Sequence, residues 1–243
     1  MAGLVRSLWQ QTAIWLFCAT FIPLMALAML VTLCRKRDTL GTRMSRMWGK
    51  TGLWIAGVTL AIDPTTLAEL RTRTGRVLLF NHASSLDLLV GASLMHAGAV
   101  VVVKRELLSM PFIGWVLPLL DFVTIDRSNR QAAADSLAVA AARIAAEKLT
   151  VMIAPEGTRS KDGSLGPFKM GPFHLAIAAG VPLLPVVMHN CAKLWPRGRA
   201  YCLAGVVRIE ALPAIDTAGR TAADVHDLAD RARQAYERAL AQA

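Results

Sequence analysis

A histidine and an aspartate, His82 and Asp87, stand five positions apart in the run Asn81-His82-Ala83-Ser84-Ser85-Leu86-Asp87, directly after the apolar stretch Val77-Leu78-Leu79-Phe80. Imidazole is the side chain best suited to accept a proton near neutral pH. A carboxylate beside it fixes which ring nitrogen carries hydrogen and stabilises the imidazolium. A buried strand ending in such a pair reads as a scaffold that delivers a general base to a site. The same spacing also describes a capped turn, with Asp87 serving the first turn of the next helix and His82 an ordinary strand-end residue. On one continuous helix these positions would point roughly 140° apart. The pair therefore meets only if His82 lies in the turn and Asp87 in the first turn of a helix, which Ser84 or Ser85 can cap.

A second segment, Ala154-Pro155-Glu156-Gly157-Thr158-Arg159-Ser160, follows another apolar run, Val151–Ala154. Gly157 allows close backbone approach, and its amide can face an anion. Arg159 offers a planar fork suited to phosphate or carboxylate, and Glu156 can orient it. The plain alternative is a polar surface turn. In a parallel sheet both strand ends open on one edge, where α/β proteins place ligands.

The elements that must position these residues can be read from the hydrophobic pattern. Val77–Phe80, Ala99–Val103, Phe122–Ile125, Val151–Ala154 and Leu184–Met188 are predicted strands, rich in Val, Ile or Leu and too short for buried helices. Tyr201–Ile209 is a further candidate. Between them lie helical patterns. One opens on the capping box Ser128-x-x-Gln131 and runs to Lys148, with Leu137, Ala141, Ile144 and Leu149 on its buried stripe. Another spans Thr221–Ala243, with Asp224 three residues after Thr221. Near-continuous apolar strands alternating with helices predict an α/β fold, a largely parallel mixed sheet flanked by helices on both faces.

Together the two polar segments resemble motifs of the glycerolipid acyltransferase family, of the 1-acylglycerol-3-phosphate acyltransferase type. Asn81, His82, Ser84 and Asp87 match N-H-x-S-x-x-D, which contains the HX4D pair. Lys104-Arg105-Glu106-Leu107, Pro111, Gly114 and Phe122–Arg127 match a second region. The third motif, F-P-E-G-T-R-S, appears with Ala154 in place of the aromatic residue, and V-P-L-L-P-V is Val181–Val186. The resemblance covers roughly residues 75–190. It implies the glycerolipid acyltransferase fold and transfer of an acyl group from a thioester, acyl-CoA or acyl carrier protein, to lysophosphatidic acid, giving phosphatidic acid. It also implies His82 as general base held by Asp87. The acceptor's phosphate would be held by Lys104, Arg127, Glu156, Gly157, Thr158 and Arg159. No cofactor or metal is implied beyond the thioester co-substrate. The nearest alternatives are acylation of another lysolipid, or a non-catalytic lipid-binding protein on the same scaffold.

Composition narrows the setting. The chain has 243 residues, 54% of them hydrophobic, and a net charge of +10. Ala13–Leu33 carries no charge and is about 32 Å long as a helix, enough to cross a hydrocarbon core. Pro23 sits in its middle, so the run either spans or bends and re-enters. Ala26-Leu27-Ala28 has the small-x-small form of a signal-peptidase site, but the apolar run continues past it. Arg35-Lys36-Arg37 then follows, which places the catalytic part on the cytoplasmic side of the cell membrane by the positive-inside rule.

Six basic residues between Arg35 and Lys50 adjoin this run, favouring an anionic membrane surface over nucleic acid as partner. Leu40, Met44, Met47, Trp48 and Ile55 recur at helical spacing. They describe either an interfacial helix with Trp48 and Trp54 at headgroup depth or a core helix with a basic edge. Residues 1–62 are thus expected to form a membrane-associated hydrophobic and amphipathic helical anchor, and 63–243 the catalytic domain. Four cysteines without a C-x-x-C suggest no disulfide framework. There is no G-x-S-x-G elbow for a serine hydrolase, no complete P-loop before Gly49-Lys50-Thr51, and no zinc-ligand spacing.

Overall fold

The structure is a computed structural model that describes residues 2–35, 37–111, 113–120, 122–125, 130–160 and 162–242. Its sheet is built from β1 (Val58–Ile62), β2 (Arg76–Phe80), β3 (Ala99–Lys104), β4 (Val123–Ile125), β5 (Thr150–Ile153), β6 (Leu183–Met188) and β7 (Gly205–Ala211). Among the described residues these seven strands form one sheet in the order β1-β7-β6-β2-β5-β3-β4. All neighbouring pairs are parallel except β6 and β7. The C-terminal ends of β2, β3, β5 and β6 therefore open on one edge.

β2, β5 and β6 are buried along both faces, which is why they read as unbroken apolar runs. On one face Val77, Leu79, Val151, Ile153, Leu183 and Val187 form a core with residues of three helices. These are α6 (Arg130–Glu147), α7 (Gly171–Ala179) and α9 (Val225–Ala241). On the other face Leu78, Met152, Leu184, Val186 and Met188 pack with residues of α2 (Thr42–Ala56) and α4 (Leu86–Ser93). Each fully buried aliphatic side chain contributes about 1.5–3 kcal/mol relative to exposure. The remaining helices are α1 (Ala2–Val31), α3 (Pro64–Arg71), α5 (Ile113–Val116) and α8 (Cys191–Leu194).

The predicted strands fall within a residue or two of the observed ones, save the last, which begins at Gly205 and runs antiparallel to β6. Thr221, expected to open the last helix, forms a capping box with Asp224 around a 3₁₀ turn, and α9 starts at Val225. Ser128 of the other capping box lies outside the described residues. β1 falls inside the stretch expected to be wholly helical. It joins the sheet by pairing parallel with β7.

Among the described residues one helix, α1, is long and apolar enough to cross a membrane. It runs unbroken through Pro23 and on past Ala26-Leu27-Ala28. It lies along the domain. Gln10 Nε2 donates to the Ala56 carbonyl (3.3 Å), Gln10 Oε1 accepts the Cys202 N–H (3.0 Å), and Gln11 Nε2 donates to the Ala200 carbonyl (2.8 Å). Further on, Phe21, Ile22 and Met25 pack against Met44, Val116 and Leu120. Trp9, Trp15, Leu16, Leu24, Leu27 and Leu30 remain exposed on its outer side.

α2 packs between α1 and α4. At Gly49 it approaches α4 so closely that a Cβ would lie 2.4 Å from the Ser93 nitrogen and 2.6 Å from the Leu89 carbonyl oxygen. Of its tryptophans only Trp54 is exposed; Trp48 is half-buried, its indole nitrogen inside. α2 is thus a core helix with an exposed edge that carries Arg43, Met47, Lys50 and Trp54.

Candidate active site

The turn after β2 is fastened to its neighbours residue by residue. Asn81 bonds Met188 in both directions, Nδ2 to the carbonyl (3.2 Å) and the Met188 N–H to Oδ1 (2.8 Å), which anchors the turn to β6. The His82 N–H donates to Glu156 Oε1 (2.7 Å), and its carbonyl accepts the Ser160 N–H (2.9 Å). Ser84 Oγ accepts the Leu86 N–H (3.1 Å) and donates to the Trp195 carbonyl (2.6 Å). The chain then enters α4, and Asp87 falls in its first turn.

This geometry brings His82 and Asp87 together. Nδ1 of His82 lies 2.9 Å from Asp87 Oδ2, which also accepts the Ala83 and Ser84 N–H groups at 2.8 Å each. An ionised carboxylate is an acceptor only, so the bond assigns the hydrogen to Nδ1 and the lone pair to Nε2. Asp87 is buried, its side chain 1% exposed, while that of His82 is 27% exposed. A ring so held presents Nε2 to an incoming hydroxyl as a base, with a buried anion behind it to stabilise the charge it acquires.

Cys191, at the start of α8, sits against the same carboxylate. Burial, with the neighbouring Asp87 charge and a hydrogen bond to it, pushes the thiol far up and keeps it protonated. Its spacing from the other cysteines carries no sign of this, because the contact depends on α8 folding back onto α4.

The loop after β5 supplies the second wall. Gly157 adopts φ 71°, in the left-handed region that favours glycine, and its N–H closes a turn onto the Ala154 carbonyl (3.1 Å). The amide expected to face an anion is therefore committed to the turn. Glu156 also differs from expectation. Its carboxylate does not orient Arg159. It is buried, and its two oxygens accept the His82 N–H and the Gly166 N–H (2.8 Å). Burial pushes its carboxyl above the usual range, against the opposing pull of these two donors. Glu156 is a bracket beneath the histidine, tying the β2 turn to the loop after β5.

Arg159 is exposed, and its Nη1 donates to Ser85 Oγ at 2.5 Å, three residues from His82. Thr158 beside it is exposed. Lys104 ends β3 on the same sheet edge, while its side chain and all of Arg127 lie outside the described residues. A separate cavity of about 360 Å³, lined by Arg35, Asp38, Ser45, Arg73 and Arg143, opens at the opposite end of β3 and includes none of these groups.

The family model "Acyltransferase" matches residues 62–189, which contain both segments of the site. The chain belongs to the acyltransferase family. Similar proteins include the human 1-acyl-sn-glycerol-3-phosphate acyltransferase beta, 34% identical over 223 residues, 90% of this chain and 79% of that one. The 1-acyl-sn-glycerol-3-phosphate acyltransferase of Salmonella typhimurium is 34% identical over 183 residues, 75% of this chain and 74% of its own. Among solved structures, the 1-acyl-sn-glycerophosphate (LPA) acyltransferase PlsC from Thermotoga maritima superposes with a TM-score of 0.78 at 21% identity. The match covers 99% of this chain and 95% of that one, so the acyltransferase fold extends over the N-terminal helices as well. His82, Asp87 and Arg159 of this acyltransferase all lie within the matched region.

Proposed function

We propose that this acyltransferase moves a fatty acyl group from a thioester, acyl-CoA or acyl carrier protein, to the free hydroxyl of lysophosphatidic acid, forming phosphatidic acid. The observation that carries this reading is the Nδ1–Asp87 bond, which leaves Nε2 of a part-exposed ring as the basic nitrogen beside a tethered arginine. The names of the relatives support the choice of acceptor.

In the proposed reaction Nε2 of His82 takes the hydroxyl proton as the oxygen attacks the thioester carbonyl. The tetrahedral intermediate collapses with cleavage of the C–S bond. The thiolate then recovers the proton from the imidazolium, whose charge Asp87 has stabilised. Arg159 holds the acceptor's phosphate through its planar fork, with Lys104 and Arg127 adding positive charge. The reaction uses no cofactor besides the thioester. The exposed apolar side of α1 rests in the cytoplasmic leaflet, with Arg35, Arg43 and Lys50 available to anionic headgroups. That α1 lies along the domain supports an in-plane anchor over a spanning one.

The test is acyl transfer by the purified protein to a panel of lysolipids with both donors, repeated with Arg159→Ala. Loss of charge-assisted hydrogen bonds should raise the KM for lysophosphatidic acid by about 10–100-fold. The KM for a neutral acceptor such as monoacylglycerol should change far less. Equal losses on both acceptors would remove Arg159 from the phosphate site.

A further inference from the structure

Ser85 precedes the first residue of α4, a position where a serine hydroxyl ordinarily accepts a backbone N–H of the first turn. It makes no such bond. The Leu86 N–H goes to Ser84 Oγ, and Ser85 Oγ accepts from Arg159 Nη1. Among the described residues this is the hydrogen bond that the Ser85 side chain makes, and it spans 74 positions of sequence. An exposed arginine side chain has many rotamers open to it, so a fixed acceptor at its tip selects one aim from many. The hydroxyl accepts through oxygen lone pairs and keeps its own proton, which remains available to donate. Guanidinium and hydroxyl then present adjacent donors on the turn that carries His82, a pairing that fits the several acceptor oxygens of a phosphate monoester.

We infer that Ser85 is a specificity residue for the acceptor's phosphate: it aims Arg159 and donates its own hydroxyl proton to a phosphate oxygen. This rests on the reading of Arg159 given above. A hydrocarbon side chain at 85 would leave the guanidinium without its anchor and the phosphate without one donor. The Ala83 and Ser84 N–H bonds that seat Asp87 would stay in place. The effect should therefore fall on acceptor binding and spare the chemical step.

The experiment is steady-state kinetics of the full-length protein in vesicles with lysophosphatidic acid and acyl-CoA, for Ser85→Ala, Ser85→Thr, Arg159→Ala and the Ser85→Ala/Arg159→Ala pair. Ser85→Ala should raise the KM for lysophosphatidic acid about tenfold, the scale of one hydrogen bond to a charged group, with kcat within about threefold. The KM for acyl-CoA should stay put, which separates the acceptor's phosphate from those of the donor. The Tm should be unchanged, because no cap is lost. Ser85→Thr should restore the KM, and the double variant should lose more than Arg159→Ala alone but less than the product of the two single losses, the partial non-additivity expected when Ser85 both aims Arg159 and donates a bond of its own.

An unchanged acceptor KM in Ser85→Ala, with Arg159→Ala impaired, would overturn the inference and leave the Arg159 reading standing. So would a rise in the donor KM, or a lowered Tm with failure of Ser85→Thr to rescue. No change in Arg159→Ala, or no transfer to lysophosphatidic acid by the wild type, would overturn the parent reading and this inference with it.

Discussion

His82→Ala should lower kcat for acyl transfer by about 10³-fold, within the range a positioned general base contributes, while the protein stays folded and bound to vesicles. The side chain is part-exposed, and its ring meets Phe80 edge-on at 6.1 Å between centroids, so its removal opens little of the core. The His82 backbone would still hold Glu156 and Ser160 through its own N–H and carbonyl. Asp87 would lose one donor and keep the Ala83 and Ser84 N–H groups. Kinetics on vesicles together with a thermal melt check this. A fall in rate that tracks a collapse in Tm would mean that the residue is structural.

Asp87→Asn should lower kcat by about 10²-fold, less than the loss of the base itself. The reason lies in the two backbone donors. Both point at Oδ2, so they require the amide oxygen of an asparagine to sit there, and the NH₂ group is turned to the Oδ1 side. His82 Nδ1 can then still donate to an oxygen, and the productive tautomer survives. What is lost is the negative charge behind the imidazolium, the electrostatic part of the pair. Asp87→Ala should be worse on two counts. It abolishes the ring's partner and leaves two N–H groups of a buried turn unpaired, at about 1–3 kcal/mol each. Kinetics and urea unfolding of the two variants separate the charge from the scaffold. Equal kcat losses in both would mean that the tautomer is not held by the turn.

The parts of the molecule that could be read in advance are those where the code is local. β2, β5 and β6 are covered on both faces, and their sequences are apolar without interruption. The Thr221 capping box closes within four residues. β1 is harder to read because it is an edge strand whose burial alternates, so Thr59 and Ala61 face outward and the run lacks the density of its neighbours. The His82–Asp87 pair was legible because its geometry is made within one turn.

The roles of Glu156, Gly157 and Ser85 were not legible in this way. Each depends on which partner the fold brings up: the His82 N–H for Glu156, the Ala154 carbonyl for Gly157, and Arg159 for Ser85. A glutamate two residues before a threonine and three before an arginine reads as that arginine's partner. Only the sheet register shows that it faces the histidine turn instead.

The central claim is that His82 activates the acceptor's hydroxyl for direct attack on the thioester, with no acyl group resting on the protein. The most direct measurement is a single turnover of purified protein with acyl-CoA, following free thiol, phosphatidic acid and protein-bound acyl groups, with and without lysophosphatidic acid. The expected result is thiol release only when the acceptor is present, matched mole for mole by phosphatidic acid, with no acylated chain at any time. A burst of thiol without acceptor, accompanied by acylation of Ser84 or Ser85, would contradict it.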